Sequence, residues 1–111
     1  MLHELRIYTC LPGQLPRLQR RFETATLAIW SRIGIRPIGF WKTVIGPSNN
    51  DLTYLLEWES LAERERLWAA FMADPEWIDA RGESERSGPI VANIASSLLE
   101  PVLLPAASGR P

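Results

Sequence analysis

Residues 2–33 of the chain read LHELRIYTCLPGQLPRLQRRFETATLAIWSRI, a strand pattern followed by a helix pattern. In Leu2–Cys10 polar and apolar residues alternate, which predicts a β-strand, and bulky residues on both alternate sets indicate that both faces are covered. Pro12-Gly13 marks a turn. Between Leu15 and Ile33 apolar residues recur at spacings of three and four, which predicts an amphipathic helix that ends at Gly34.

The predicted helix has one apolar stripe and one basic side. The stripe consists of Leu15, Leu18, Phe22, Ala25, Ile29 and Ile33. Arg17, Arg20 and Arg21 lie on the far side, where we expect an outer surface, while Trp30 lies off the main stripe.

Two further strand patterns are Arg36–Ile45 and Leu52–Trp58, separated by the turn formers GPSNND at residues 46–51. They predict an antiparallel hairpin with a long loop. The Ser60-Leu61-Ala62-Glu63 motif fits a capping box and predicts a helix that runs to about Ala73.

The C-terminal third is predicted mainly from its prolines and its charged, glycine-containing segment. Pro75 opens a short further helix, and residues 81–88 form an exposed connection. The last strand covers Ile94–Leu99 or continues to Leu104, and Pro101 requires that it lie at an edge or bend there. We therefore expect one domain over residues 1–105 and a frayed tail over 106–111.

The order of elements, β-α-β-β-α-β, predicts a ferredoxin-like α+β fold with a four-stranded antiparallel sheet. A right-handed crossover places strand three between strands one and two, with strand four on the other side of strand one. Both helices cover one face of the sheet. The bare face is predicted to carry Tyr8, Leu55 and Trp41 beside Glu4, Arg6, Thr53 and Glu57. So much aromatic surface predicts a homodimer in which two sheets pack bare face to bare face.

Composition limits the chemistry that the chain supports. Its 111 residues include one His, one Cys and five Trp, with a net charge of -1. The charge balance gives no case for nucleic acid or an anionic membrane as a partner. One Cys forms no internal disulfide or Cys-rich zinc site, and one His forms no multi-histidine metal centre. We expect no metal, no cofactor and a cytoplasmic location.

Arg6, Tyr8 and Glu57 are the first candidate site residues. If strands one and three are neighbours, Arg6 and Glu57 share a face, where the guanidinium would bind a carboxylate or an enolate-like oxygen and the Tyr8 hydroxyl would donate a hydrogen bond. The alternative is a structural ion pair with a packed tyrosine at the dimer interface.

Other candidates are weighed against ordinary packing. Trp41, Trp58, Trp68 and Trp77 either line an apolar pocket between sheet and helices or form core. Arg64, inside the apolar stripe of the second helix, either extends to solvent or reaches a ligand. His3 is a general base, a haem ligand or a surface histidine, and Cys10 is a buried inert thiol.

Several segments together resemble the NIPSNAP family. They are Glu4-Leu5-Arg6-x-Tyr8 with Pro12-Gly13, Gly39-x-Trp41, Leu52-Thr53-Tyr54-Leu55 leading into Glu59–Arg64, and Trp68-x-x-Phe71-x-x-Asp74-Pro75-Glu76-Trp77. The resemblance covers residues 2–104 and implies the dimeric α/β-barrel form of the ferredoxin-like fold. Bacterial single-domain members mostly lack an assigned activity, and relatives of that fold include cofactor-free oxygenases and haem-binding enzymes.

Three functions stay open at this point. The first is a homodimeric module that binds a small apolar or acidic molecule without catalysis. The second is a small cofactor-free oxygenase or isomerase that uses Arg6 as anion anchor, Tyr8 as donor and Glu57 as base. The third is haem binding through His3, unless Tyr8, Tyr54 or Cys10 serves as the ligand instead.

Overall fold

The computed structural model describes residues 1–105 and forms one four-stranded antiparallel sheet with a layer of helices on one side. The predicted tail, 106–111, lies outside the described residues. The strands are β1 (Leu2–Cys10), β2 (Arg36–Lys42), β3 (Asp51–Trp58) and β4 (Val91–Leu99), in the spatial order β2-β3-β1-β4. This strand order and the α+β class confirm the predicted fold.

Helix α1 has three consecutive segments: an α-helical region Leu15–Arg21, a π-helical turn Phe22–Thr26 and a second α-helical region Leu27–Ile33. It ends at Gly34, whose φ of 107° is the left-handed conformation expected of a glycine cap. The π-helical turn holds one more residue than an α-helical turn and rotates the second α-helical region by about 100°. Trp30 is therefore turned into the core, at 1% exposure, and not off the stripe as predicted.

Helices α2 (Leu61–Ala73) and α3 (Pro75–Ser84) complete the helical layer. The Ser60 hydroxyl accepts a hydrogen bond from the Glu63 amide at 3.1 Å, as a capping box requires. The Glu63 carboxylate, however, accepts from the Glu59 amide and not from the Ser60 amide.

Three predicted boundaries are wrong. Strand β2 stops at Lys42 because its last pairing partner on β3 is Leu52, and Val44 and Ile45 beyond it are almost fully exposed. Residues 81–84 belong to α3 and not to a connection. Strand β4 begins at Val91, three residues earlier than predicted, and ends at Leu99, before Pro101.

The two faces of β1 are opposite to those predicted. Glu4, Arg6 and Tyr8 face the helices and are buried, whereas Leu5 and Ile7 lie on the open face. Burying single charges is costly, which makes a charged set an unusual choice for the covered face. The structure compensates that cost, since the charges are paired inside the protein.

The open face has an apolar centre with polar residues around it. The centre consists of Leu5, Ile7, Leu55 and Trp41, with Ala95 and Leu99 on β4. The register places His3, Thr9, Asp51, Thr53, Glu57, Asn93 and Ser97 on the same face. Trp41 is 52% exposed, and its indole packs over Gly39, where an added Cβ would stand 3.0 Å from the ring. None of the helices in residues 1–105 is long and apolar enough to cross a membrane.

Candidate functional site: a buried arginine cluster and an aromatic cleft

Glu4 is the centre of a buried polar cluster between the sheet and α2. Its carboxylate accepts hydrogen bonds from Arg64 Nε at 2.8 Å and Arg64 Nη2 at 3.1 Å, a bidentate pair. Trp58 Nε1 donates to it at 2.9 Å, the Ser96 hydroxyl at 2.6 Å and Arg6 Nη1 at 3.0 Å. Burial alone would raise the pKa of Glu4, but these donors outweigh burial and lower it to about 2. Glu4 is therefore ionised near neutral pH, and these hydrogen bonds hold its carboxylate in place.

Arg6 links this carboxylate to two tyrosines. Its Nε donates to the Tyr54 hydroxyl at 2.8 Å and its Nη2 to the Tyr8 hydroxyl at 3.1 Å. The guanidinium carbon lies 4.5 Å from the centroid of the Trp68 ring, a cation–π contact. Burial raises the pKa of Tyr54, so Tyr54 is a neutral phenol near pH 7.

The cluster carries an excess of positive charge. Two guanidiniums, Arg6 and Arg64, share the single carboxylate of Glu4. Within the part of the chain that the structure describes, no second carboxylate forms a salt bridge with either arginine. One positive charge is left over in a largely buried region, which favours an anion nearby.

Beside the cluster is a cleft of about 460 Å³ between α2, α3 and the edge strand β4. One wall is a row of aromatic rings on α2 and α3. Trp68 and Phe71 lie 5.3 Å apart between centroids, and Phe71 stacks on Trp77 at 4.6 Å. Arg6 and Tyr8 line the same cleft, together with Met72 and Ile94.

Arg21 lies against the far end of this aromatic row. Its guanidinium carbon is 5.2 Å from the Trp77 ring centroid, and its Nη1 makes long contacts of 3.3 Å to the Ser84 hydroxyl and the Glu85 carboxylate. Arg21 is 7% exposed and lines the cleft. Its Nε is enclosed and has no hydrogen-bond partner among residues 1–105.

The burial of Arg21 corrects its prediction as an outer-surface residue. Helix α3 packs over that side of α1, as shown by the 2.6 Å hydrogen bond from Arg17 to the Ser84 carbonyl. Arg21 also directly precedes the π-helical turn, and the Thr26 hydroxyl reaches back to its carbonyl at 3.4 Å. Such turns are common at functional sites.

Glu57 and Trp41, two of the four predicted site residues, are not in this site. Glu57 pairs in register with His3 on the open face, and it forms a 3.7 Å ion pair with Arg36. Arg6 and Glu57 therefore lie on opposite faces of the sheet, and the predicted juxtaposition is wrong. Trp41 is on the open face as well.

The remaining candidates also have defined positions. Arg64 binds Glu4, so it fits neither of its two predicted roles, extension to solvent or contact with a ligand. His3 is on the open face, on the opposite side of the sheet from the cleft. Cys10 is buried, as predicted, and burial raises the pKa of its thiol. In residues 1–105 no three His, Cys, Asp or Glu side chains are grouped so as to hold a metal ion.

Sequence reasoning misses the roles of Glu4 and Arg21. For Glu4 a signal exists, because Arg64 interrupts the apolar stripe of α2 and a buried guanidinium requires a carboxylate. For Arg21 the sequence offers no such signal, since its burial depends on how α3 packs.

The pattern of the NIPSNAP family matches residues 3–104 of the chain. No curated protein matches it.

Solved structures show the same fold. An uncharacterized NIPSNAP-like domain protein from Burkholderia xenovorans is 29% identical, with a TM-score of 0.81 over 99% of this chain and 88% of that one. A nipsnap family protein with unknown function from Agrobacterium tumefaciens is 25% identical, with a TM-score of 0.78 over 91% of this chain and 87% of that one. A second protein from B. xenovorans, an uncharacterized NIPSNAP domain protein, is 22% identical, with a TM-score of 0.79 over 100% and 99% of the two chains.

Proposed function

The chain belongs to the NIPSNAP family, and on that premise we propose that it is a homodimeric module that binds a small apolar or acidic molecule in the cleft. The observation that carries the proposal is the pairing of an aromatic wall with surplus guanidinium charge. The wall supplies apolar contact area, and the charge supplies affinity for an anion. Convergent polar groups in a mostly apolar concave site are typical of small-molecule binding.

The polar end of the cleft is held rigid before any ligand arrives. Arg6 is fixed by Glu4, Tyr54 and Tyr8, and its planar face lies on Trp68. Because these contacts fix the side chain in the free protein, binding orders few groups. A preorganised site loses less conformational entropy on binding than a flexible one.

The geometry does not favour the alternative, a cofactor-free oxygenase or isomerase, because its three residues Arg6, Tyr8 and Glu57 do not lie together. Its proposed base, Glu57, is on the other side of the sheet. The buried carboxylate of Glu4 is already bound by two arginines. A general base needs both reach and a free lone pair.

We place the dimer interface on the open face of the sheet. Leu5, Ile7 and Leu55 form adjacent rows on the two central strands, and Trp41 extends the apolar surface toward the β2 edge. Burying such a patch is favourable by roughly 25 cal/mol per Å² of apolar surface. Sedimentation at micromolar concentration should show a dimer, and a monomer would contradict this interface. A reducing cytoplasm suits the single buried thiol.

Methionine labelling provides a direct test of binding in the cleft. The chain has two methionines, and Met72 lines the cleft whereas Met1 does not. With ¹³C-methyl methionine, we expect 2-naphthoate or its neutral analogue 2-naphthamide to shift the Met72 methyl signal and leave the Met1 signal in place. If neither compound moves the Met72 signal at millimolar concentration, or if both methionines move equally, the cleft is not a binding site.

A further inference from the structure

We infer that the cleft binds a planar aromatic carboxylate, and that Arg21 binds the carboxylate group. This inference rests on the proposed function and adds the chemical class of the ligand. It is carried by the side-chain contacts of Arg21, which differ from those of Arg6 and Arg64.

Arg64 and Arg21 differ in how their donors are used. Arg64 places Nε and Nη2, which lie on one edge of the guanidinium, against the two oxygens of Glu4. Arg21 makes no hydrogen bond through the corresponding edge to any residue in 1–105, and its Nε is enclosed. Nη2 of Arg21 makes no hydrogen bond within residues 1–105 and, unlike Nε, is not enclosed. It is therefore the donor that a ligand carboxylate oxygen can meet, with the gain of a charge-assisted hydrogen bond.

The surroundings of Arg21 determine the shape of the ligand. The guanidinium lies over Trp77, which stacks on Phe71, so the surface next to the charged edge is flat and apolar. A planar ring attached directly to a carboxylate reaches both features. Aromatic rings prefer stacked or edge-on contact with such a surface.

Glu85 determines the charge of the ligand. It is the carboxylate that contacts Arg21, at 3.3 Å, and it also lies 3.8 Å from Arg81 Nε. Both distances are long for charge-assisted hydrogen bonds. Glu85 is therefore a weak internal competitor that can turn toward Arg81 when a ligand carboxylate takes its place. A dianionic phosphate would meet more repulsion from Glu85 than a single carboxylate does.

Arg21 also borders a second depression, of about 420 Å³, with Arg17 and Arg20. The apolar surface beside this depression lacks the aromatic row. Arg20 is exposed there and supplies a matched control, because Arg20→Gln removes the same charge one residue away. An intermolecular NOE to the Met72 methyl group locates the ligand in the first cleft.

The test is the affinity of 2-naphthoate and 2-naphthamide for four proteins: the wild type and the variants Arg21→Gln, Arg20→Gln and Glu85→Gln. We expect the wild type to prefer naphthoate by about tenfold, the ratio that one charge-assisted hydrogen-bond pair supplies. Arg21→Gln should remove this preference while naphthamide binds as before. Arg20→Gln should keep it, and Glu85→Gln should tighten naphthoate binding.

Different failures have different meanings. Equal wild-type affinities for naphthoate and naphthamide, with both shifting the Met72 signal, would overturn the carboxylate inference and leave the binding module standing. Binding of neither compound would overturn both. Equal losses in Arg20→Gln and Arg21→Gln would remove Arg21 as the specific contact. If Arg21→Gln does not fold, Glu85→Gln decides, because unchanged naphthoate affinity in that variant would contradict competition at Arg21.

Discussion

Replacing Glu4 by Gln should lower the free energy of unfolding by about 3–5 kcal/mol, the usual cost of removing one partner from a buried ion pair. The substitution keeps the shape of the side chain but leaves Arg6 and Arg64 without a counter-charge. It also replaces an all-acceptor group with one that presents an NH₂ to donors. Urea unfolding followed by far-UV circular dichroism measures the change.

Glu76→Gln is the matched control. Glu76 lies on α3, in the helical layer and away from the open face, and it forms an exposed ion pair with Arg32 at 3.0 Å. Exposed pairs contribute about 0–1 kcal/mol, so this variant should unfold close to the wild type. A Glu4→Gln variant that lost no more stability than Glu76→Gln would contradict the central place of Glu4 in the cluster.

The free energy of unfolding measured at acidic pH tests the role of the same carboxylate. Because the pKa of Glu4 is lowered from 4.5 to about 2 in the folded protein, the unfolded chain binds this proton more readily. The stability that Glu4 contributes is therefore fully present above pH 4.5 and is lost as the pH falls toward 2. The stability difference between wild type and Glu4→Gln should shrink across this range. A difference that is constant with pH would contradict the lowered pKa.

Replacing Leu55 by Asp should convert the proposed dimer into a monomer. Leu55 lies on central strand β3, opposite Leu5 on one side and Gly39 on the other, in the middle of the open face. Across a two-fold interface the substitution buries two unpaired carboxylates, each at a cost of at least a few kcal/mol. Even a total cost of about 3 kcal/mol would raise the dimer Kd by about 100-fold, and the two carboxylates together should raise it further. Sedimentation velocity over a range of protein concentrations measures the shift.

Ile78→Asp controls for a general effect of adding charge to an exposed apolar site. Ile78 is 54% exposed and lies on α3, in the helical layer and not on the open face. This variant should sediment like the wild type. If Leu55→Asp remained dimeric at the same concentrations, or if Ile78→Asp dissociated equally, the interface would not be the open face of the sheet.

Local sequence patterns predict most of this fold. The alternation in Leu2–Cys10, the glycine after Ile33 and the capping residues Ser60 and Glu63 act within a few residues of where they stand. The strand and the two helix ends can therefore be predicted from the neighbouring sequence alone. The strand order then results from the handedness of one crossover.

The face of β1 is not decided locally. Both alternate sets of this strand hold bulky residues, and the rule that charges stay in water selects the wrong set. The correct choice depends on Arg64, sixty residues from Glu4, which supplies the pairing that permits Glu4 and Arg6 to be buried. Likewise, the spacing of apolar residues does not predict the π-helical turn that brings Trp30 into the core.

For the same reason, only two of the four predicted site residues lie together at the cleft. Arg6 and Tyr8 share a face because they are two residues apart on one strand, and they line the cleft together. The sequence joins Glu57 to them only through an assumed register between β1 and β3. The actual register pairs Arg6 with Tyr54 and His3 with Glu57, which separates the two charges by the thickness of the sheet.

Native mass spectrometry of the full chain, purified without denaturation, tests the proposed module most directly, because one spectrum reports both its assembly and its ligand. The predicted result is a mass of twice the chain that carries an additional small organic acid, with the added mass absent from Arg21→Gln. A single-chain mass with nothing bound would contradict both the open-face dimer and the acid-binding cleft.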